Sequence, residues 1–391
     1  MSGVDLLETA AELWPGADVV PAGTSYDGRP VRARYAVVSR SKVPTVLVPV
    51  ESAVAAGASL RRFSTASTWR DSTTRAAAGA AVRVAPGLLR NRVEVRGGDD
   101  SLAEHLSEVL GTEVTFSITV GSARVNQKPV LQVFDETGTC LAFVKVGWSD
   151  STVEDVLAEG EALARVGTRR FRTVVPPELL ARSSWRGRPV LVSGPLPTSA
   201  WPRLRRPTDP PERAMAELET AFGREERTLV DSDWWSTRWQ LAGEIADPVT
   251  RSRFERAMDH VSLAAGRDPL PFGAWHGDWT PWNMATAGDR VLLWDWERFE
   301  EGVPAGLDAI HYQVNALNHG TPPSAEGVVW ALSLAEQRHA GVAQQARCSS
   351  LLYLVEILAR YLRLTEVAGG EHISDRAMHT LVALERLAGL G

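Results

Sequence analysis

Cysteine, lysine and long apolar runs are all scarce in this sequence. The chain has 391 residues and two cysteines, Cys140 and Cys348, which lie too far apart for a zinc-binding or short disulfide motif. No apolar run reaches the length of a membrane span, and residues 1–16 lack the basic start and apolar segment of a secretory signal. These absences argue against a disulfide framework and predict a cytoplasmic protein without a membrane partner.

A large excess of charge of one sign is absent too. The formal net charge of −6 provides no positive surface that would draw the chain to nucleic acid or to anionic lipid, so neither is expected as a partner. Arginine supplies nearly all of the positive charge, because lysine occurs only at Lys42, Lys128 and Lys145. A lysine inside a predicted strand therefore stands out more than it would in most proteins.

Residues 1–110 show ordinary α/β patterns and no catalytic constellation. Apolar runs, alanine-rich segments and glycine or proline stops predict a helix over 4–13, a hairpin of strands 34–39 and 44–50, helices over 51–60 and 71–85, a strand over 91–96 and a helix ending at Leu110. Ser101 and Glu104 would form a capping box for the last helix. We interpret this region as an accessory α/β layer or an extended N-terminal lobe, in preference to an independent functional domain.

Residues 111–197 show a clearer pattern of strands and helix than residues 1–110. Three strands in meander order and a helix are predicted over 114–120, 129–135, 140–146 and 152–166. Lys145 lies on the third strand, and an acid on the helix would hold its ammonium group, as in the N-terminal lobe of a kinase. Glu159 shares a face with Leu163 and Val166, whereas its competitor Glu161 lies off that face. The alternative for Lys145 is an edge-strand lysine whose charge opposes aggregation.

Two further segments are candidates for nucleotide contacts. Gly121 and Ser122 form the turn of the first hairpin and would lie over phosphates, although they lack the repeated glycines of a phosphate-binding loop. Ser193 and Leu196 follow an apolar strand, at the position where a kinase has the hinge that bonds adenine through its backbone. Pro195 has no N–H and removes one donor from this hinge.

Residues 198–391 are predicted to be mostly helical. A linker rich in proline and arginine over 202–211 precedes predicted helices over 214–222, 234–246, 249–265, 307–317, 324–339, 342–367 and 374–387. Their apolar periodicity and their glycine or proline punctuation are typical of helices that pack in a core. No heptad pattern persists long enough to predict a coiled coil.

One stretch in this region carries chemistry: residues 275–297 are WHGDWTPWNMATAGDRVLLWDWE. Asp278 lies in a loop, Asn283 follows five residues later, and a turn and an apolar strand lead to Asp295. Phosphoryl transfer needs an oriented acceptor hydroxyl, bound magnesium and neutralised phosphate charge. An aspartate suits the first task, and an amide oxygen with a second carboxylate suits magnesium. The alternative is a hydrogen-bonded turn of His276 and Asp278, with Asp295 as a helix cap.

The segments HGDWTPWN and LLWDWE resemble the motifs of the aminoglycoside phosphotransferase and choline kinase-like family. The similarity is strong over residues 270–312, moderate over 114–200 and absent over 1–110. It implies an α+β, bilobal protein-kinase-like fold, with a small antiparallel-sheet N-lobe over 111–197 and a mostly helical C-lobe over 198–391. Residues 1–110, which the similarity does not cover, would be an extra N-terminal α/β region. The similarity also implies ATP or GTP as the phosphate donor and Mg2+ as the metal.

The resemblance assigns roles by motif position. It implies Asp278 as catalytic base, Asn283 and Asp295 as metal ligands, Lys145 as phosphate contact and Glu159 as the partner of Lys145. We expect His276 to brace the loop by hydrogen bonding and not to react. Residues 306–309 are similar to the family's downstream acidic segment, which braces the lobe.

The stretch also departs from kinase patterns. Trp279 and Trp282 replace the usual residues of the catalytic loop, and Glu297 stands where protein kinases have the glycine of DFG. The APE signature of a protein-kinase activation loop is missing. These departures argue against a conventional Ser/Thr protein kinase and favour a small hydroxylated acceptor.

Tryptophans and acids near the stretch are candidates for substrate contacts. Eight of the fourteen tryptophans lie nearby: Trp234, Trp235, Trp239, Trp275, Trp279, Trp282, Trp294 and Trp296. Trp279 and Trp282 lie in the predicted catalytic loop and are the substrate candidates, because aromatic faces stack on sugars and cations. Trp239, Trp275 and Trp294 are predicted to pack in the core. Glu297, Glu300 and Glu301 would meet an amine-bearing substrate or form a solvated acidic loop.

The predicted function is an ATP- or GTP-dependent and Mg2+-dependent phosphotransferase that acts on a hydroxyl of a small molecule, such as a sugar, an aminosugar or an amino alcohol. Two alternatives stay open. In the first, the acceptor is a Ser or Thr of a peptide in natural-product tailoring, and residues 1–110 are its recognition module. In the second, the chain is a pseudokinase that binds nucleotide without turnover.

Overall fold

A computed structural model describes residues 6–24, 28–40, 43–62, 69–98, 102–120, 129–197, 209–320, 322–338, 343–367 and 370–390. The chain divides into two compact units. The first comprises residues 1–167 and 177–204, and the second comprises residues 168–176 and 205–391. Antiparallel sheet dominates the first unit and helices dominate the second, which confirms the predicted α+β class.

The first unit is built on one antiparallel sheet. Its strands are β1 (Ala17–Pro21), β2 (Val31–Arg40), β3 (Val43–Pro49), β4 (Arg92–Gly97), β5 (Thr115–Val120), β6 (Pro129–Phe134), β7 (Cys140–Val146), β9 (Leu179–Trp185) and β10 (Arg188–Ser193). Their order across the sheet is β1-β4-β2-β3-β5-β6-β7-β10-β9. Because β3 pairs with β5, residues 1–110 share this sheet with the three predicted strands of residues 111–197.

Five helices accompany this sheet. They are α1 (Leu6–Glu12), α2 (Ala53–Arg62), α3 (Trp69–Val84), α4 (Leu102–Leu110) and α5 (Asp150–Val166). The apolar alternation of the strands puts Phe116, Ile118, Leu131 and Val133 into a core where each is fully buried. The predicted cap at Ser101 lies outside the described residues.

A tight hairpin completes the sheet beside β7. Arg186 and Gly187 have φ values of 51° and 75°, the combination that a two-residue type I′ turn requires. This turn pairs β9 with β10, and β10 pairs with β7. Strand β7 therefore lies between β6 and β10, with Lys145 opposite Val130 on one side and Leu191 on the other. The edge-strand alternative for Lys145 is wrong for this reason.

The second unit is mostly helical. Its helices are α6 (Glu212–Ala221), α7 (Asp233–Gly243), α8 (Pro248–Ala265), α9 (Leu307–Leu317), α10 (Ala325–Arg338), α11 (Ala343–Thr365) and α12 (Glu371–Leu387). All seven correspond to predicted helices, with ends shifted by up to three residues. The apolar faces of α7 to α12 share one core, in which α11 contributes the longest buried series. None of the described helices is long and apolar enough to cross a membrane.

Two small sheets complete the second unit. One has the order β11-β12-β15, from β11 (Glu225–Arg227), β12 (Leu270–Trp275) and β15 (Glu300–Pro304). The other has the order β13-β14-β8, from β8 (Val174–Val175), β13 (Met284–Ala287) and β14 (Arg290–Leu293). The predicted hairpin turn at Gly288 joins β13 to β14. These sheets hold the ends of the stretch that runs from Trp275 to Asp295.

Candidate active site

In the first unit, Lys145 and Glu159 form a buried ion pair. The Lys145 ammonium donates to both carboxylate oxygens of Glu159, at 2.8 and 2.6 Å. Both residues are largely withdrawn from solvent, at 9% and 3% exposure. An ammonium held in this way has a fixed direction, as a phosphate contact requires.

Helix α5 places the acid of this pair. Ser149 and Thr152 form a capping box that fixes the start of the helix. Glu159 then lies on the buried face with Leu163 and Val166, whereas Glu161 is exposed. Of the two acids that the sequence left open, Glu159 is therefore the one that contacts Lys145.

The hinge candidates lie at the end of β10. Ser193 is half-buried, and its hydroxyl donates to the Phe143 carbonyl at 3.3 Å. The Gly194 N–H is committed to the Glu178 carbonyl at 2.7 Å, and Leu196 is half-buried. Adenine contacts at Ser193 and Leu196 stay a prediction. Gly121 and Ser122 lie outside the described residues.

In the second unit, the loop after β12 is bound from behind by Asp308. The carboxylate of Asp308, in the first turn of α9, accepts the backbone N–H groups of His276 and Gly277 at 2.8 and 3.1 Å. Burial raises the pKa of Asp308 to about 6, although these N–H groups and nearby positive charge oppose the rise. The acidic segment at 306–309 thus braces the loop, as the resemblance implied.

Gly277 makes the tight turn that this brace requires. Its φ of +79° is in the left-handed region, and a Cβ at this position would lie 2.3 Å from the Arg298 carbonyl oxygen. Both conditions restrict the position to glycine. The Gly277 carbonyl in turn accepts a hydrogen bond from Arg360 of α11 at 2.6 Å.

His276 joins the loop to the end of β14. It is fully buried, and its Nε2 lies 3.1 Å from the Trp294 carbonyl oxygen. Its Nδ1 accepts the backbone N–H of Asp278 at 3.3 Å, so the proton is on Nε2 and the ring is neutral. Burial lowers the pKa of His276 to about 4 despite the nearby carboxylates of Asp278 and Asp295. This is the bracing role that we expected.

The Asp278 carboxylate is held on both oxygens. Asn283 donates its amide N–H to Oδ2 at 2.7 Å and to the Asp278 carbonyl at 3.0 Å. His311 of α9 lies with Nε2 3.1 Å from Oδ1. Burial alone would raise the pKa of Asp278, but the His311 hydrogen bond and the positive charge of Arg360 oppose it, and the pKa is lowered. Asp278 is therefore an ionised carboxylate with 37% of its side chain exposed.

The hairpin of β13 and β14 brings Asn283 and Asp295 close together. The Trp294 N–H donates to the Asn283 carbonyl at 3.1 Å, and Asp295 is the next residue. Asp295 has a φ of +64°, in the left-handed region that non-glycine residues rarely adopt. Backbone strain of this kind, about 1–3 kcal/mol, occurs often at functional sites.

The donor set of these two residues fits magnesium. The Asn283 nitrogen is committed to Asp278, so Asn283 has its oxygen to offer to a cation, and Asp295 adds a carboxylate. Mg2+ prefers such oxygen ligands and takes its other ligands from phosphates and water. The described residues contain no cluster of three or more His, Cys, Asp or Glu side chains that could enclose a metal.

Two residues that hold the Asp278 loop in place were not predicted from the sequence. His311 is three residues after Asp308 on α9, a spacing that puts both on one helical face and that would have connected it to the loop. Arg360 gave no such signal, because it lies 83 residues from Gly277 in the chain.

Arg360 belongs to a network of buried charges. Its Nε donates to Glu356 at 2.6 Å, and Arg238 donates to the same carboxylate. Burial opposes ionisation of Glu356, but the charges of Arg360 and Arg238 outweigh it and lower the pKa. Arg238 also holds Glu300 in two hydrogen bonds at 2.8 and 2.7 Å.

The structure corrects one of the two tryptophans that were predicted to contact substrate. Trp279 is completely buried and donates its indole N–H to the Met284 sulfur at 3.2 Å, so the prediction that it stacks on substrate is wrong. Trp282 is half-buried, with its ring centroid 5.1 Å from that of His319, and stays a candidate. Trp275 is buried as predicted, but Trp294 is partly exposed.

Of the three acids, Glu300 is committed to Arg238 in the second unit. Its carboxylate is held by two hydrogen bonds from the Arg238 guanidinium, and an amine contact of Glu300 stays a prediction. Glu297 and Glu301 are half-buried. A substrate contact of Glu297 stays a prediction.

No protein-family model matches the chain, and no curated protein matches it. Among solved structures, it is similar to a thermostable mutant of aminoglycoside phosphotransferase APH(4)-Ia in complex with ADP and hygromycin B, with 14% identity, 75% of this chain and 99% of that chain covered, and a TM-score of 0.48. The amicoumacin kinase hAmiN is similar with 13% identity, 70% of this chain and 88% of that chain covered, and a TM-score of 0.42. A choline/ethanolamine kinase family protein from Mesorhizobium loti is similar with 14% identity, 69% of this chain and 87% of that chain covered, and a TM-score of 0.41.

The roles of individual residues rest on the geometry of the site described above. The solved structures to which the chain is similar include aminoglycoside phosphotransferases and a choline/ethanolamine kinase family protein, the family that its HGD stretch resembles.

Proposed function

We propose that the protein is a nucleoside triphosphate-dependent and Mg2+-dependent phosphotransferase that phosphorylates a hydroxyl of a small molecule. The observation that carries the proposal is the Asp278 carboxylate, which is ionised, partly exposed and fixed on both oxygens by Asn283 and His311. A carboxylate in this state orients an acceptor hydroxyl and takes its proton as the oxygen attacks phosphorus.

The other functions of a phosphotransferase are assigned to the remaining residues. Lys145, directed by Glu159, would bind phosphate oxygens of ATP or GTP. Asn283 and Asp295 would hold Mg2+, which when bound neutralises phosphate charge in the transition state. His276 keeps the two parts of the second unit's site together through its bonds to Asp278 and Trp294.

The role of Asp278 is tested by the variant Asp278→Asn. We expect kcat to fall roughly 100-fold or more, because the amide accepts no proton, while the affinity for nucleotide changes little. Asp289→Asn is the matched control, since Asp289 is an exposed acid in the turn between β13 and β14 and its loss should leave kcat unchanged. Retained turnover in Asp278→Asn contradicts the assignment.

The metal is tested separately. Removal of divalent cations with a chelator should abolish turnover, and added Mg2+ should restore it. Asp295→Asn should raise the Mg2+ concentration needed for half-maximal turnover, whereas Asp289→Asn should not. Turnover that is unchanged in the presence of the chelator contradicts the metal assignment.

The acceptor is identified by nucleotide consumption against a panel of sugars, aminoglycosides, amino alcohols and Ser- or Thr-containing peptides, with ATP and GTP as donors. We expect turnover with a small-molecule hydroxyl. Turnover confined to peptides would favour the tailoring alternative, and binding of nucleotide and Mg2+ without turnover on any acceptor would favour a pseudokinase.

A further inference from the structure

His311 and Tyr353 form a hydrogen-bonded chain behind the Asp278 carboxylate. His311 Nε2 lies 3.1 Å from Asp278 Oδ1, and the Tyr353 hydroxyl lies 3.3 Å from His311 Nδ1. The rings of His311 and Tyr353 meet edge to face, with centroids 5.9 Å apart. Tyr353 is 2% exposed and His311 is 5% exposed, so neither reaches solvent or a substrate in this arrangement.

The surroundings of His311 decide where its proton lies. With the proton on Nε2, the ring donates to an ionised carboxylate and accepts the Tyr353 O–H on Nδ1. With the proton on Nδ1, a lone pair on Nε2 would face the Asp278 carboxylate at 3.1 Å. Asn315 would favour this second form, because its amide nitrogen lies 3.2 Å from Nε2 and could donate an N–H to the unprotonated Nε2. A charge-assisted bond is roughly twice as strong as a neutral one, so the form with the proton on Nε2 is preferred.

The Asn315 amide has a better acceptor than the ring. Its nitrogen donates to the His311 carbonyl at 2.8 Å, within α9. The other titratable groups around His311 are Asp308 on its own helix and His276 on the loop. Neither is hydrogen-bonded to the His311 ring in the described structure, so Asp278 and Tyr353 determine its orientation.

We infer that His311 is a positioning residue for Asp278, and that Tyr353 makes it one by fixing the ring with Nε2–H toward the carboxylate. This inference rests on the proposed function. The bond from Nε2 occupies Oδ1 and the bond from Asn283 occupies Oδ2, so together they fix the plane of the carboxylate. A fixed plane directs one remaining lone pair of Asp278 at the acceptor hydroxyl.

The first test is spectroscopic and needs no turnover. In protein labelled with 15N-histidine, the chemical shifts of the two ring nitrogens distinguish a protonated Nε2 from an unprotonated one. The signal of His311 among the eight histidines is identified by its loss in His311→Gln. In the wild type we expect Nε2 to be protonated and Nδ1 to be unprotonated, with mixed protonation of the two nitrogens in Tyr353→Phe. A ring protonated on both nitrogens overturns the inference, because Nδ1 could not accept the Tyr353 O–H. An unprotonated Nε2 in the wild type overturns the inference.

The second test separates positioning from a structural role. His311→Leu should lower kcat roughly 10- to 100-fold, the range for a lost hydrogen bond to a charged group, with the KM for nucleotide within about twofold of the wild type. His311→Gln keeps an N–H donor near the place of Nε2 and should recover part of kcat. Tyr353→Phe should lower kcat by less than His311→Leu, because the ring remains.

Two control variants accompany these measurements. His260→Gln on α8 and Tyr361→Phe on α11 change the same residue types away from Asp278 and should leave kcat and both KM values unchanged. If His311→Gln is as impaired as His311→Leu, or if KM rises in step with the loss of kcat, then His311 acts only through packing and the inference is overturned.

Asp278→Asn distinguishes failure of this inference from failure of the proposed function. If Asp278→Asn abolishes turnover while His311→Leu retains full kcat, the function stands and the positioning role is wrong. If the wild type turns over no acceptor, or if Asp278→Asn is fully active, the proposed function falls and the role of His311 falls with it.

Discussion

The Arg360 guanidinium donates to the carbonyl oxygen of Gly277 at 2.6 Å, although the two residues lie on distant parts of the chain. Asp308 accepts the N–H of the same glycine at 3.1 Å. The peptide groups on both sides of Gly277 are therefore held by side chains from two different helices, α11 and α9. The loop that carries Asp278 thus depends for its shape on the helical core behind it.

The first prediction concerns Arg360. Arg360→Met should destabilise the protein by about 1.5–3 kcal/mol, the range for a lost hydrogen bond to a charged group, because Glu356 loses one of its two arginine partners and keeps Arg238. It should also lower kcat, because the bond to the Gly277 carbonyl is lost. Arg360→Lys should recover only part of this loss, since an ammonium cannot reproduce the planar guanidinium that bonds Glu356 and Gly277 together. Urea unfolding and steady-state kinetics measure the two effects.

Arg363→Met is the matched control for Arg360, because Arg363 is an exposed arginine on the same helix. It should change the free energy of unfolding by less than about 0.5 kcal/mol. Equal destabilisation by both variants would show that helix α11, and not the bond to Gly277, accounts for the effect.

The second prediction compares two glycines of the stretch. Gly277→Ala should both destabilise the protein and reduce kcat, because its Cβ would lie 2.3 Å from the Arg298 carbonyl oxygen. Gly288→Ala in the hairpin turn also has a positive φ, of +60°, but its Cβ would meet no atom within 4 Å. It should therefore show only the backbone penalty of about 1–2 kcal/mol and keep its kcat. Similar kinetics in the two variants would contradict a steric requirement at Gly277.

The third prediction concerns the ion pair of the first unit. Glu159→Gln should weaken nucleotide binding by roughly tenfold, because Lys145 loses the carboxylate that directs its ammonium. Glu161→Gln, two residues along the same helix and exposed, should bind nucleotide as the wild type does. Isothermal titration with ATP and Mg2+ measures both affinities, and equal affinities would refute the role of the pair.

The sequence predicted those parts of the site that depend on local order. Asp278, Asn283 and Asp295 follow one another along a loop and a hairpin, so their proximity follows from chain connectivity and turn chemistry. Helical periodicity favoured Glu159 over Glu161 as the partner of Lys145, because a buried face repeats every three to four residues, and the structure decides between them. The described helices of the second unit were likewise predictable from apolar spacing, and those near residues 51–60 and 71–85 from their alanine content.

The parts that depend on tertiary packing were not predictable. Arg360 reaches Gly277 from a helix whose own pattern indicates only burial, and no spacing rule connects the two. Trp279 lies in the predicted catalytic loop and yet points into the core, since loop residues follow no fixed alternation. The sheet shared by residues 1–110 and 111–197 depends on the pairing of β3 with β5, which strand patterns alone do not specify.

The fourth prediction is a pair of opposite pH dependences. The pKa of His276 is lowered to about 4 by burial, so the unfolded chain binds more protons here, and this group stabilises the protein increasingly as pH rises from about 4 to about 6.5. Burial raises the pKa of Asp308 to about 6, so the folded state binds more protons there, and its contribution is lost as pH rises from about 4 to about 6. In the wild type the two slopes oppose each other.

Single variants should expose each slope. In His276→Gln, the free energy of unfolding should fall more steeply between about pH 4 and pH 6 than in the wild type, by up to about 1.4 kcal/mol per pH unit for one proton. In Asp308→Asn, the free energy of unfolding should rise with pH over the same range relative to the wild type, with a slope of similar size and opposite sign. Urea unfolding at several pH values measures these slopes, and comparison with the wild type removes the contribution of all other groups. Parallel curves for the three proteins would contradict the buried, oppositely shifted pair.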